Sequence, residues 1–386
     1  MAKKRSYNFV AFYRLPDGGG NPPTRYEIND ITFIDYDGTI LYSYTKDEFL
    51  ALSDMPALPA HEGLICQGWN YSFTNAQEYV RAVGILNVGA MYITDDGKTR
   101  LYISIASEGR MTVPLYFSQT IANGVTIDWG DGSATQTWSG TGTIKTSHTY
   151  SAIGDYIITL KVTSGILGFG NTNTNDCVMG STGNNNNVYS NMLQKVELGN
   201  SVTSIGKYAF EECYSLSSVT LPSGITSIGN NAFNKCYSLA SVTIPSGVTS
   251  IGNYAVSDCH TLSSITLPSS VTSIGTYGVC ACYALASITL PSGITSIGNY
   301  AFSNNPSLSI IKIPSGVASF GNYAFSNNYG VAVYDFTRHT SVPTLKSTDA
   351  FYNIPSDCII KVPASLLDSW KGATNWSTYA SKIVAG

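Results

Sequence analysis

Apolar residues recur through the second half of the chain with a 23-residue period. One column reads Ile205, Ile228, Ile251, Ile274 and Ile297, with Phe320 in the next slot. A second reads Phe210, Phe233, Val256, Val279, Phe302 and Phe325, and a third Leu216, Leu239, Leu262, Leu285 and Leu308. Self-similarity at this period predicts a solenoid, because one such unit is a coil that cannot bury its apolar face alone and must stack on its neighbours. Within a unit, Val219 and Leu221 alternate with Ser218 and Thr220, a strand with one apolar and one hydroxyl face. The proline after each strand (Pro222, Pro245, Pro268, Pro291, Pro314) lacks an N–H and ends the pairing there. A second short run, residues 248–252 in one copy, turns the coil, and Ala209-Phe210 and its copies plug the interior. The glycine column from Gly206 to Gly321 suits a turn that needs positive φ.

The cysteines keep the same period at Cys213, Cys236, Cys259 and Cys282, and the next two slots hold Asn305 and Asn328. This reads as a buried ladder of free thiols. Neighbouring rungs lie about 4.8 Å apart, which also allows a disulfide by distance. A metal needs converging ligands, and a straight ladder does not converge. The array extends back to Leu193-x-x-Val196-x-Leu198 and forward through a degenerate strand at 331–336 to Ile360-Lys361-Val362-Pro363, displaced by three residues. Residues 364–386, with Trp370 and Trp376, break the pattern and read as a short capping helix over the open core end.

The repeat, Ala-Phe-x-x-Cys-x-x-Leu-x-x-Val-x-Leu-Pro over roughly residues 190–386, resembles the BspA type of leucine-rich repeat, in which Asn or Cys at one position sits inside the turn. The resemblance implies a non-enzymatic adhesion or recognition module of the kind found on bacterial surfaces, in some protists and in phage proteins.

Two regions precede the repeats. Residues 112–164 alternate as short strands around Asp128-Trp129-Gly130-Asp131-Gly132, His148-Thr149-Tyr150 and Gly154-Asp155-Tyr156. These segments resemble a PKD-like immunoglobulin-type sandwich, with Trp129 in a Phe slot and the family's own Trp absent. The resemblance implies a spacer or binding module. The stretch is short for a sandwich of about 100 residues, so strands are either missing or borrowed from upstream. Residues 1–110 read as an α+β attachment domain. A hairpin turns at Asp35-Tyr36-Asp37-Gly38, a helix is capped by Thr45 and Glu48, a second helix covers 74–83, and another hairpin turns at Asp95-Asp96-Gly97. Residues 166–191, rich in Asn and Gly, read as a linker or insertion. The fold class is therefore modular and mainly β, in the order 1–110, 111–165, 166–191, a solenoid at 192–363 and a cap at 364–386.

Chemistry-bearing motifs are not found. His61, His148, His260 and His339 are scattered, and neither a nucleophile elbow nor a phosphate-binding glycine loop occurs. No enzyme, cofactor or metal site is expected. Asp128, Asp131 and Asp155 lack calcium-loop spacing and read as turn residues. The net charge of −4 carries no basic footprint for nucleic acid. No stretch approaches the roughly 18 apolar residues of a membrane span.

The surface of the repeats is hydroxyl, amide and tyrosine: residues 201–330 hold only six charged side chains, Lys207, Glu211, Glu212, Lys235, Asp258 and Lys312. The candidate binding surface is two aromatic columns. One is Tyr208, Tyr254, Tyr277, Tyr300 and Tyr323, interrupted by Asn231. The other is Tyr214, Tyr237, His260, Tyr283 and Tyr329, interrupted by Pro306. The hydroxyl row Thr220, Thr243, Thr266 and Thr289 is a third surface.

The basic start Met1-Ala2-Lys3-Lys4-Arg5 has no apolar run behind it, so a secretory signal is not expected. That favours an exposed phage virion component (tail fibre, baseplate or head-decorating adhesin) over a bacterial cell-surface adhesin, and reduced thiols suit the same origin. The expected partners are a host cell-surface glycan or protein, other virion proteins through the N-terminal domain, and sister chains in a homo-oligomer.

Overall fold

The computed structural model describes residues 31–34, 40–57, 64–69, 73, 76–77, 80–81, 86–94, 97–170, 176–181, 189 and 191–386. They fall in two compact units, Met1–Asp96 and Gly97–Gly386.

In the first unit four strands lie in the order Ile40–Tyr44, Ile31–Ile34, Leu86–Thr94, Leu64–Trp69. A helix, Lys46–Ala51, starts at Thr45: the Thr45 hydroxyl accepts from the Glu48 N–H and the Glu48 carboxylate accepts from the Thr45 N–H. Phe49 on this helix is buried with Ile31, Phe33, Ala76 and Val80. The turn at Asp35–Gly38 lies outside the described residues, and the helix expected over 74–83 is described only in part. Asp95 and Asp96, in the turn of the hairpin expected through Asp95-Asp96-Gly97, lie outside the described residues. Leu86–Thr94 pairs with Ile31–Ile34 and Leu64–Trp69 in the first unit, whereas Lys98–Ile105 pairs in the second.

The second unit opens with two sheets that share one core. Lys98–Ile105 lies between Leu193–Glu197 and Gly154–Val162 in a six-stranded sheet, and Thr112–Gln119 lies between Leu167–Phe169 and Gly142–Thr149 in a four-stranded one. Leu101, Ile103, Ile127, Ile158 and Leu160 from the first sheet and Val113, Leu115 and Phe117 from the second are buried together. Residues 98–105, read from sequence as part of the N-terminal domain, thus complete a layer that 111–165 alone could not build.

Both sheets run on into the repeats. Leu193–Glu197 pairs antiparallel with Lys98–Ile105 on one side and parallel with Ser218–Thr220 on the other. Leu167–Phe169 pairs antiparallel with Thr112–Gln119 and parallel with Val202–Ile205. A solenoid end exposes an apolar cross-section and a row of unpaired backbone groups, and here the two-sheet layer covers it. Residues 166–191 are therefore not simply a linker. Leu167, Phe169, Cys177, Val178 and Met179 are buried, and the Val178 N–H donates to the Ala209 carbonyl at 2.9 Å. Asn184–Asn187 lie outside the described residues.

Successive coils pair in parallel at the sequence period, Ser241 with Ser264 and Ile274 with Ile297. After each strand the proline carbonyl accepts from the N–H three residues on, as Pro245 does from Val248 at 3.0 Å, which closes a turn. The late strand is displaced, Val333 facing Ile359. It is not the last: Ile383–Ala385 adds one more parallel strand beyond Ile359–Val362. Between them the cap is a short helix, Leu367–Gly372, and a 3-10 turn, Trp376–Tyr379. These bury Trp370 and Trp376 with ring centroids 4.6 Å apart, and the Trp376 indole N–H donates to the Pro343 carbonyl at 2.7 Å.

The glycine column does not supply positive φ. None of Gly206, Gly229, Gly252, Gly275, Gly298 and Gly321 is among the left-handed residues; Tyr208, Asn231, Tyr254, Tyr277, Tyr300 and Tyr323, two positions later, are. The glycines serve close approach instead: a Cβ at Gly229, Gly252 or Gly298 would stand 2.7–2.8 Å from backbone atoms of the preceding rung. Gly298→Ala is therefore expected to lower stability by roughly 1–3 kcal/mol in urea unfolding, because no flexible side chain can yield there. Gly224→Ala, where nothing lies within 4 Å, should leave the midpoint unchanged or slightly raised.

His339 sits under the cap, close to the backbone of Phe336 and Val317, its ring 5.1 Å from Phe336 and 6.0 Å from Trp370. Burial holds its pKa below the ordinary 6.5. The unfolded chain therefore takes the proton first: stability is full above pH 6.5 and declines as pH falls below it. Melting temperatures measured from pH 7.5 to 5 should fall in the wild type, and fall less in His339→Phe.

Candidate recognition surface

The two aromatic columns form, and their backbone explains their regularity. Each coil turns through two left-handed residues four positions apart: Tyr208 and Glu212, Asn231 and Lys235, Tyr254 and Asp258, Tyr277 and Ala281, Tyr300 and Asn304, Tyr323 and Asn327. A left-handed conformation costs a non-glycine residue about 1–2 kcal/mol. Asn bears it most easily, and for the tyrosines ring stacking of about 0.5–1.5 kcal/mol per pair offsets part of it. Tyr254, Tyr277, Tyr300 and Tyr323 stack in sequence with centroids 4.6, 4.5 and 4.8 Å apart and planes within 13°. Tyr208 stands apart across Asn231, with the Lys207 ammonium 4.6 Å from its ring centroid. In the second column Tyr214, Tyr237, His260 and Tyr283 stack at 4.9, 4.5 and 4.6 Å. Tyr329 follows beyond Pro306.

Mutual stacking changes what these columns offer. A ring inside a ladder has both faces covered by its neighbours and shows solvent its edge and hydroxyl. Three rings beside an interruption are exposed, Tyr254 at 37%, Tyr283 at 47% and Tyr329 at 57%, whereas Tyr208, on the other side of Asn231, has the Lys207 ammonium over its ring. The other seven column members, Tyr208, Tyr214, Tyr237, His260, Tyr277, Tyr300 and Tyr323, are half-buried.

Between the columns runs a polar strip that sequence reading had not singled out. The Asn231 and Asn234 amides both donate to Glu211 Oε1, at 2.9 and 3.0 Å, and Lys235 pairs with Glu212 at 2.9 Å. That hydrogen bond, chiefly, raises the Lys235 pKa. Further along, Asn353 donates to Asn327 and Asn327 to Asn304, each at 3.0 Å, and Asn353 also donates to the Tyr329 hydroxyl at 2.9 Å. The period of Glu212, Lys235, Asp258, Ala281, Asn304 and Asn327 was visible, but their varied chemistry hid them as a column.

Beneath the strip lies the Cys/Asn ladder, all six members fully buried. The Cys236, Cys259 and Cys282 thiols donate to the carbonyls of Phe210, Phe233 and Val256, each at 3.2 Å, which ties every rung to the one before. Asn305 makes the same bond to Val279 at 2.9 Å and adds one to Phe302 in its own rung. Its Oδ1 also accepts from the Cys282 N–H at 2.8 Å; Asn328 repeats the set. Cys213, Cys236, Cys259 and Cys282 are free thiols, joined by Cys177 at the head of the column.

The remaining candidates sit elsewhere. Thr243, Thr266 and Thr289 are exposed and Thr220 half-buried, but the strand row breaks at 287–289. Asp128 Oδ1 accepts from the Gly130 N–H and Asp131 Oδ1 from the Ser133 N–H; the Asp131 carboxylate also pairs with His148 at 2.6 Å. Hydrogen bonds from Ser133 and His148 hold the Asp131 carboxyl at about 2. Among the described residues no three His, Cys, Asp or Glu side chains converge on a metal position, and no helix is long and apolar enough to cross a membrane.

With this geometry in view, the comparisons with known proteins bear on the repeats. The BspA type leucine rich repeat region matches in six copies, over residues 182–282 and 257–366. No curated protein matches the chain. Among solved structures the chain is similar to a leucine rich cell surface protein from Faecalibacterium prausnitzii, with 24% identity over 50% of this chain and 63% of that one, at a TM-score of 0.32. It is also similar to the leucine rich repeat protein of T. pallidum (24% identity, 44% and 78% coverage, TM-score 0.34) and to the pneumococcal vaccine antigen PcpA (16%, 50% and 66%, TM-score 0.32). The chain spans 63% of the length of the Faecalibacterium protein.

Burial raises the pKa of Cys236, Cys259 and Cys282, and for Cys213 the bond to Cys177 and burial act together. Little thiolate is available at any of them. At pH 8 these four thiols should escape a maleimide in the native protein and react once it is unfolded, as counted by intact mass. Fast native labelling of this column would disprove the buried ladder.

Proposed function

We propose that this chain, whose repeat region is a BspA-type leucine-rich-repeat solenoid, is a non-enzymatic surface recognition protein that contacts its partner along the aromatic edge of the repeats. The observation that carries this is the pair of tyrosine ladders flanking a polar strip, with open ring faces at Tyr254, Tyr283 and Tyr329. Rigid, flat, amphipathic rings give contact area at low entropic cost, and the amides between them set orientation. The solenoid holds both in register without moving parts.

The match of the repeats to the BspA type supports a bacterial cell surface as the setting, ahead of the virion surface. In this reading the first unit attaches the chain to a larger assembly or to sister chains. The two-sheet layer is a PKD-like spacer that also covers the solenoid end. The partner is a host cell-surface glycan or protein.

Fluorescently labelled full chain should bind host epithelial or bacterial cells in flow cytometry. Tyr283→Ala with Tyr329→Ala should reduce that binding at least several-fold while the far-UV spectrum and melting temperature hold. Equal binding by the double variant would sink the aromatic edge as the contact surface. Immunogold labelling of the source culture separates the two settings: label on the envelope supports the adhesin, and label confined to particles supports the virion component.

A further inference from the structure

The interruption at Asn231 is the most specific feature on the recognition edge. Backbone hydrogen bonds place Tyr208, Asn231 and Tyr254 in three successive rungs: the Tyr208 N–H donates to Asn230, the Asn231 N–H to Asn253 and the Tyr254 N–H to Thr276, at 2.9–3.0 Å. All three share the left-handed conformation, with φ of 64°, 59° and 55°. One ring is therefore missing from a column that is otherwise built to stack. At the column's own spacing of 4.5–4.8 Å per rung, Tyr208 and Tyr254 stand about two spacings apart, roughly 9 Å, which is room for one ring between them. Tyr254 is 37% exposed, while Tyr277 and Tyr300 inside the same ladder are half-buried, as an open face on the Asn231 side requires.

The wall behind the gap is polar and incompletely satisfied. Asn231 and Asn234 share Glu211 Oε1 through their amide N–H groups. Asn234 is 6% exposed and its Oδ1 has no hydrogen-bond partner among the described residues. A buried carbonyl left without a donor costs about 1–3 kcal/mol. The gap thus lies between Tyr208, which has the Lys207 ammonium 4.6 Å from its ring centroid, and the exposed Tyr254 ring, with polar side chains of Asn231 and Glu211 beside it.

We propose that this gap is a sugar-binding slot, which takes one pyranose ring of a surface glycan between Tyr208 and Tyr254. A pyranose has apolar C–H faces and a rim of hydroxyl donors. The faces bury against the two tyrosines, and the hydroxyls donate to the Asn231 carbonyl oxygen. An aromatic side chain from a protein partner would fill the same width but brings at most one donor, which is why the glycan is preferred. The assignment rests on the recognition role proposed above and narrows it to one rung and one class of ligand.

The decisive variant is Asn231→Tyr. Its backbone already has the φ at which the column's tyrosines sit, so it fills the slot with the ladder's own residue and should keep or raise the melting temperature. The full chain is applied to an array of defined neutral, N-acetylated and uronic oligosaccharides, and those retained are titrated by calorimetry against wild type, Asn231→Tyr, Tyr254→Ala and, as control, Gly224→Ala. The slot predicts about tenfold or greater loss in the first two variants and less than about twofold change in Gly224→Ala, which lies outside both aromatic columns. Retention of no saccharide, or undiminished affinity in Asn231→Tyr, overturns the slot. If cell binding is then still lost in Tyr283→Ala with Tyr329→Ala, the broader recognition reading stands without it. If Asn231→Tyr abolishes cell binding that no saccharide reproduces, the slot takes a protein side chain and the glycan assignment fails.

Discussion

The spacing between rungs governs this molecule. Backbone groups of one coil bond to the next at strand distance, and every column of side chains inherits that repeat. The spacing is held where the chain is thinnest: at Gly206, Gly229, Gly252, Gly275, Gly298 and Gly321 no side chain separates one backbone from the next. From that contact follow the stacked phenylalanines inside, with Phe210 and Phe233 5.4 Å apart, and the stacked tyrosines outside. The cysteine thiols act in the same direction, each bonded to a carbonyl of the rung before. Asn305 and Asn328 show why two residue types share that column. Either can donate across the rung, and Asn also accepts an N–H that a thiol leaves to the backbone.

The repeat half was legible in sequence because its periodicity is the fold: columns in the text are columns in space. Its open end was not. The strand Lys98–Ile105 looks locally like one arm of a hairpin, with Asp95-Asp96-Gly97 as the turn. Its partners instead lie 50 and 90 residues downstream, in Gly154–Val162 and Leu193–Glu197. Turn chemistry is local, whereas the demand that a solenoid end be covered is not, and only the first can be read from a short stretch of sequence. The same holds for residues 166–191, whose composition reads as loop although Phe169 supplies a ring that packs on Phe210. The glycine column was misread for a different reason. Glycine answers two needs, positive φ and close approach, and only the structure shows that the left-handed position belongs to the tyrosines.

The same distinction bears on where recognition can reside. In a strictly repeated column each ring is a structural element, since its faces are spent on its neighbours and any one copy resembles the next. Specific contact needs a place that differs from the rest of the array, with surface left uncovered by the repeat. Asn231, Pro306 and the switch from Cys282 to Asn305 are departures from the pattern. Of these, Asn231 lies beside the exposed Tyr254 ring and shares Glu211 with Asn234, a polar setting that the other two departures lack among the described residues. Among residues with a side chain, Asn is also one for which the left-handed backbone is least costly, so the gap imposes little strain on the fold. A periodic scaffold thus confers rigidity through its repeated positions and leaves selectivity to its exceptions. The position to read first is therefore the one where the column fails to repeat.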